Sequence, residues 1–347
     1  MATVRAEIMN EAAVMIHDAE RLLELVHGFR VSQAIYAMVS LGVADALADR
    51  LVNCHELAEQ TKIHPRALYR VLRALAAAGL VREEQGEMFS LTRTGSYLRS
   101  DVPGSRAAWV RNAMLPEMWQ AWQSLPYTVR TGKPAFEHTH GKDVWRFRSD
   151  SPDNSAIFDL AMREGTLRVA ADLLSHYDFA QFRHIVDVGG GDGSLLAALL
   201  AGCSGTSGTL FDQSHVVAGA HDVVRRAGVE SRCNIVAGSF FESVPADANA
   251  YILKFILHDW DDGNCVKILA NCRRAMASDA RLLIIERLLA PPNEGLDGKL
   301  SDLNMMVNLG GQERTLVEFS SIFQSTGLEL RDVYELPGQL ALLEVMQ

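Results

Sequence analysis

From residue 184 onward, short apolar runs of strand length alternate with longer runs of helical spacing, and this alternation restricts the possible folds more than any other feature. Residues 185–188, 209–211, 234–236, 250–256 and 281–286 read as strands. Between them, 195–200, 216–227 and 264–277 read as helices. Such an order demands a parallel sheet covered by helices on both faces. The last segment breaks the rule: 328–335, a turn at Pro337-Gly338 and 339–346 predict an antiparallel hairpin. The expected fold class is therefore α/β, a Rossmann-like doubly wound sheet with a C-terminal antiparallel hairpin.

The N-terminal part has a different grammar. Leu22, Leu23, Val26 and Phe29, then Ile35, Val39, Val43 and Leu47, recur at helical spacing. A helix over 55–60, a turn at 62–64 and a helix over 66–78, with Pro65 in its first turn and Gly79 as its C-cap, lead into a hairpin of 80–82 and 88–91. Helix, turn, helix and two-stranded wing make a winged-helix pattern. Arg66, Arg70 and Arg73 share one face of the second helix, which admits a DNA-binding regulator as a reading. Residues 1–100 nevertheless hold 11 Lys/Arg against 12 Asp/Glu, so they lack the positive footprint that phosphate contacts require. Residues 101–180 are helical and rich in large side chains, Trp109, Met118, Trp122, Phe136, Trp145 and Phe158 among them, with breaks at Pro116, Pro126 and Pro134. Most of these aromatics are expected in the core. The expected division is thus 1–100 for a helical winged-helix domain serving packing or dimerisation, 101–180 for a helical connecting segment, some of whose large side chains line an apolar pocket, and 181–347 for the α/β domain.

Composition narrows the setting. No apolar run approaches membrane-span length, and Arg5, Glu7, Glu11, Asp18, Glu20, Arg21 and Glu24 interrupt any signal-peptide core. Five cysteines, none in a CxxC pair, argue against a disulfide framework or structural zinc and for a reducing cytoplasm. The net charge of −10 disfavours nucleic acid as a partner.

The first strand of the α/β part runs into Asp187-Val188-Gly189-Gly190-Gly191-Asp192-Gly193. Glycines let the backbone turn sharply and let a ligand lie directly against it. The dinucleotide pattern GxGxxG fails because Ser194 stands at its last position, and there is no GK[ST] for phosphates. The loop suits a nucleoside cofactor without a pyrophosphate. Asp212 ends the second strand, where an acid bridges ribose hydroxyls in such folds, and Gly238-Ser239-Phe240-Phe241 follows the third.

In order, VDVGGGDG, LFD and GSFF resemble the motifs of class I S-adenosylmethionine-dependent methyltransferases. Lys254-Phe255-Ile256-Leu257-His258-Asp259-Trp260 resembles the K-x-x-x-H-D-W signature of the small-molecule O-methyltransferases, which include plant caffeate and flavonoid enzymes and bacterial natural-product enzymes. The resemblance runs through nearly the whole chain. It implies an intertwined homodimer built by the N-terminal domain, S-adenosyl-L-methionine as cofactor, and a small aromatic acceptor methylated on a phenolic or enolic hydroxyl.

Residue by residue, the resemblance implies a base at His258 flanked by Glu286 and Glu313. The residues alone leave other readings open: Glu286 beside Arg287 at the surface, Glu313 as a helix-start acid, and Asp259 either supporting a turn or fixing the histidine. Gly189 and Gly191 are expected at the methionine portion, Asp212 at the ribose, Phe240 and Trp260 at the adenine, and Lys254 near the methionyl end. Ser239 departs from the aspartate common at its position. Met162, Met305, Met306 and Asn308 are expected to line the acceptor pocket, although bare methionines are more often core. No metal is expected. Two other functions share these features: a same-fold enzyme that binds the cofactor for hydroxylation, decarboxylation or rearrangement, and the winged-helix regulator.

Overall fold

The structure, a computed structural model, describes the backbone of residues 2–347 and the side chains of residues 19–347. It divides into two compact units, Met1–Leu115 and Pro116–Gln347.

In the first unit a long helix, Ala2–Ser40, buries Met38 and Val39 at its C-terminal end against Val43, Leu47, Leu57, Leu72, Leu75 and Phe89. Further back, Leu22, Leu23, Leu25, Val26 and Phe29 stand half-exposed or more. Helix Cys54–Thr61 starts where the Asn53 side chain accepts the His55 N–H, and Lys62 ends it in the left-handed region. Helix Pro65–Ala77 and the strands Val81–Glu84 and Met88–Leu91 follow in the expected order. One strand was not expected: the two residues Val52–Asn53 pair with Met88–Leu91 and make the sheet three-stranded. Arg66, Arg70 and Arg73 are exposed, and Arg66 and Arg73 lie over the Tyr69 ring at 5.6 and 5.4 Å.

The second unit carries the large sheet. Its strands are β1 (His184–Val188), β2 (Ser207–Asp212), β3 (Cys233–Ala237), β4 (Ala250–Lys254), β5 (Arg281–Arg287), β6 (Glu329–Leu336) and β7 (Leu340–Met346), in the order β3-β2-β1-β4-β5-β7-β6. Pairs among β1 to β5 are parallel, and β7 runs antiparallel to both β5 and β6. Alternate residues of one strand enter opposite cores. Ile185, Ile252, Leu283 and Leu342 pack with Leu173 and Leu196 on one face; Val186, Leu253, Ile284 and Leu343 pack with Ile268 and Phe319 on the other. That double burial explains why these strands read as unbroken apolar runs.

Two expected elements differ. The strand expected over 250–256 ends at Lys254, because Phe255 turns left-handed (φ 56°) and Leu257–Asp259 form a short 3-10 turn. The helix expected over 216–227 is two pieces, Ser214–Val217 and Ala220–Arg226, split at Gly219. Prolines 116, 126 and 152 open helices at their first turns, where a missing N–H costs nothing. Phe136 and Met118 are core as expected, whereas Trp109 and Trp145 are exposed. Among the described residues no helix is long and apolar enough to cross a membrane, and all five cysteines are free.

Candidate active site

The glycine loop leaves β1 with Gly189 and Gly191 in the left-handed region, at φ 71° and 64°. The Gly189 N–H donates to the Phe211 carbonyl (2.8 Å) and the Gly191 N–H to Asp212 Oδ2 (2.9 Å), so the loop is tied to the end of β2. A Cβ on Gly189 would come within 2.5 Å of the Ile256 side chain and 3.5 Å of the Phe240 ring; beside Gly191 the space is open. Loop, acid and aromatic ring therefore meet at the carboxyl edge of the sheet. Burial raises the Asp212 carboxyl, and the N–H groups of Gln213 and Gly191 oppose that rise. Phe240, Phe241 and Trp260 form an edge-on aromatic group with centroids 4.8 to 6.2 Å apart. Ser239 Oγ accepts the Phe241 N–H at 3.3 Å, so its local role is to shape the turn. Burial lowers the Lys254 ammonium, against the pull of Asp187, Glu286, Asp192 and Asp259, and its Nζ lies 4.6 Å over the Phe255 ring. Asp187 is fully buried, its carboxyl pushed up to about 7, and its Oδ2 has no hydrogen-bond partner. A cradle free of Cβ atoms, an acid on its backbone and an aromatic edge fit a nucleoside cofactor.

Four ionisable groups converge just beyond β4. His258 sits in the 3-10 turn with its imidazole stacked on Phe255 (5.4 Å, 17°). Its Nδ1 lies 3.3 Å from Glu313 Oε1 and 3.7 Å from Glu286 Oε2, while Nε2 lies 3.4 Å from Asp259 Oδ1. Glu286, on β5 and wholly buried, uses Oε1 to accept the N–H groups of Ile256, Leu257 and His258. One carboxylate thus fixes the turn through Oε1 and faces the imidazole with Oε2, which has no hydrogen-bond partner among the described residues. Glu313 accepts the Ser301 hydroxyl (2.7 Å), and its own N–H donates to Asp302 (2.9 Å). Burial opposes a charge on His258, but Glu286, Asp259 and Glu313 outweigh it and raise the imidazole to about 10. Burial pushes Glu286 up to about 7 and raises Asp259; the hydrogen bond from His258 holds Glu313 low against its own burial.

The competing sequence readings lose on geometry. Arg287 pairs with Asp297, not Glu286. The helix after Glu313 begins at Leu316, capped by Thr315 and Glu318, so Glu313 is no helix-start acid. Asp259 touches the imidazole itself.

Sequence reasoning missed the supports. Arg314 is fully buried and donates to the Leu257, Trp260 and Gln312 carbonyls and to Asp262, clamping the turn that carries His258. Gly311 passes so close to that turn that a Cβ would sit 2.0 Å from the His258 carbonyl oxygen. Ser301, Asp302 and Asn304 were also missed; their helical spacing with Met305 and Asn308 was the available signal. All lie on helix Leu296–Asn308, which Ser301 and Asp302 fasten to Glu313. Met305 and Asn308 are buried there, and Met306 is half-buried, as is Met162 on helix Pro152–His176. Asn304 Oδ1 accepts from Trp122 Nε1 (3.2 Å) and from Asn308 Nδ2 (2.8 Å), leaving Asn308 Oδ1 buried without a partner. His258, Glu286 and Glu313 also bring ligand atoms within 4.8 Å of one another, a spacing that a hydrogen-bonded triad shares with metal sites.

Residues 23–101 match the family model of the O-methyltransferase dimerisation domain, and residues 122–329 that of the O-methyltransferase domain. The phenazine O-methyltransferase PhzM of Lysobacter antibioticus is 38% identical over 96% of this chain and 98% of its own length. Among solved structures, the mitomycin 7-O-methyltransferase MmcR superposes with a TM-score of 0.90 at 32% identity, covering 97% of this chain and 99% of that one. CalO1, a methyltransferase of calicheamicin biosynthesis solved with S-adenosylhomocysteine bound, gives 0.85 at 32% identity over 95% and 98%. With both domains matched and relatives aligned over nearly its full length, the chain belongs to the S-adenosylmethionine-dependent O-methyltransferase family.

Proposed function

We propose that the chain methylates a phenolic or enolic hydroxyl of a small aromatic metabolite, with His258 as the general base. The carrying observation is the direction of the imidazole: Nδ1 is hydrogen-bonded to Glu313 and faces Glu286, both buried, while Nε2 makes no hydrogen bond among the described residues and has only Asp259 beside it, so Nε2 is the nitrogen left to take a proton. S-adenosylmethionine, when bound, supplies a methyl group made electrophilic by its sulfonium. Gly189, Gly191, Asp212, Ser239, Phe240, Lys254 and Trp260 are the residues that would hold it.

The rest is the work of the chain. His258 takes the hydroxyl proton at Nε2, and Glu286 and Glu313 stabilise the imidazolium from the far side. A phenol ordinarily ionises near pH ~10, well above an ordinary imidazole, and the acids that raise His258 narrow that gap. A cation sharing the site would act against the imidazolium and ease release of its resting proton. Asp259 keeps Nε2 oriented, and Met162, Met305, Met306 and Asn308 line the acceptor side, where Asn308 Oδ1 offers an unused acceptor for a second hydroxyl. The half-exposed apolar stretch from Leu22 to Phe29 suits a homodimer, and five free thiols suit a reducing cytoplasm.

Incubation with labelled S-adenosylmethionine and a panel of phenolic metabolites tests this reading. A product heavier by one methylene is expected, and His258→Ala should lower turnover at least ~tenfold with cofactor affinity retained. A product of any other mass change, or unimpaired turnover in the variant, would overturn it.

A further inference from the structure

Arginines buried or half-buried in the second unit have hydrogen-bond or ion-pair partners, with one exception among the described residues. Arg314 bonds three carbonyls and Asp262, and Arg232 bonds the carbonyls of Leu200, Cys203 and Thr206. Arg163, on helix Pro152–His176, pairs with Asp192. Arg148, on helix Val144–Ser149, is different. Its guanidinium lies 3.6 Å from the centroid of the Phe158 ring and 5.2 Å from that of Trp145, and among the described residues it makes no hydrogen bond and no ion pair. Stacking covers the flat face of a guanidinium and leaves its N–H edge free for a bidentate partner. Burial lowers Arg148 to about 10, and the two acids whose charges oppose that fall are Asp259 and Asp159. Asp259 is the residue beside His258 Nε2. Phe158, which the guanidinium covers, stands one turn before Met162 on helix Pro152–His176, and Arg163 of that helix pairs with Asp192 of the glycine loop, so the unoccupied guanidinium lies beside the helix assigned to the acceptor side.

We propose that Arg148 is a specificity determinant that takes the carboxylate of the acceptor, so that the preferred substrates are aromatic acids bearing a ring hydroxyl. The planar fork of Arg148 matches a carboxylate in two parallel hydrogen bonds. With the carboxylate held there, the hydroxyl on the same ring is presented to Nε2. This assignment rests on the reading that the acceptor docks at His258, and it adds the class of acceptor.

The test pairs a hydroxynaphthoate with the naphthol that lacks its carboxylate. Binding of each is measured by calorimetry with S-adenosylhomocysteine present, and methylation of each with S-adenosylmethionine. Wild-type protein should bind the acid at least ~tenfold more tightly than the naphthol. Arg148→Met should abolish that preference while changing naphthol binding less than about threefold, and Arg148→Lys, which keeps the charge without the fork, should fall between. Unchanged melting temperatures separate loss of recognition from loss of fold. Equal binding of the two ligands by the wild type, or a preference that survives Arg148→Met, would sink the proposal. Selective binding of the acid without methylation would uphold it and count against the methyl-transfer reading alone.

Discussion

Three carboxylates around one imidazole make the site sensitive to pH, and the sign follows from the directions of the shifts. His258 and Glu286 are both raised in the folded chain, so over the range from their ordinary values up to about 10 the folded state binds more protons than the unfolded one. Stability therefore falls as pH rises through about 7 and again toward about 10. Catalysis runs the other way, because a base works only when it has released its proton. Glu286→Gln removes a negative neighbour, lowers the imidazole, and should move the ascending limb of the kcat/KM profile at saturating cofactor to lower pH. A limb that stays in place would show that Glu286 holds only the turn. That His258, Glu286 and Glu313 lie together was legible in the sequence: the HDW signature marked the histidine, and the family resemblance implied the two glutamates beside it. Arg314 was not: an arginine next to a glutamate reads as surface charge, and only the closure of the turn around it shows that its whole side chain is buried. Arg148 escaped for the same reason, since a lone cation among aromatics has no pattern in one dimension.

Among the elements, the segment Gly310-Gly311-Gln312 backs directly onto the turn that bears His258. The Gln312 N–H donates to the His258 carbonyl (2.9 Å), and the chain can come that close only without a side chain at residue 311. Gly311→Ala must displace backbone rather than a flexible side-chain end. A loss of about 1–3 kcal/mol in urea unfolding is expected, with turnover falling further than cofactor binding. Wild-type stability in that variant would show the two segments to be loosely apposed. Strand boundaries were legible where apolar runs are buried on both faces, as in β1, β5 and the start of β4. The end of β4 was missed at Phe255, where a β-type residue takes a left-handed conformation and Glu286 gathers three successive N–H groups from the residues beyond it. That bend turns an expected strand end into the turn that aims His258. The two-residue strand Val52–Asn53 is too short for any periodicity to reveal.

For the whole molecule, the apolar residues left uncovered on helix Ala2–Ser40 set the expected assembly. Leu22, Leu23, Leu25, Val26 and Phe29 are 49 to 62% exposed, more contiguous apolar surface than a lone helix normally keeps in water. Replacing Leu22 and Phe29 together by glutamate should shift sedimentation equilibrium from dimer to monomer, and a persistent dimer would place the interface elsewhere. Helical spacing in the sequence disclosed the stretch, while its exposure needed the fold. Sheet order has a temporal consequence as well. Glu286 lies on β5, whose outer edge pairs through Ala341 with β7, so the strand that flanks this carboxylate is made about fifty residues later. In chain order, every residue proposed to hold the nucleoside, from Gly189 to Trp260, precedes the two glutamates beside His258 and the hairpin that flanks one of them.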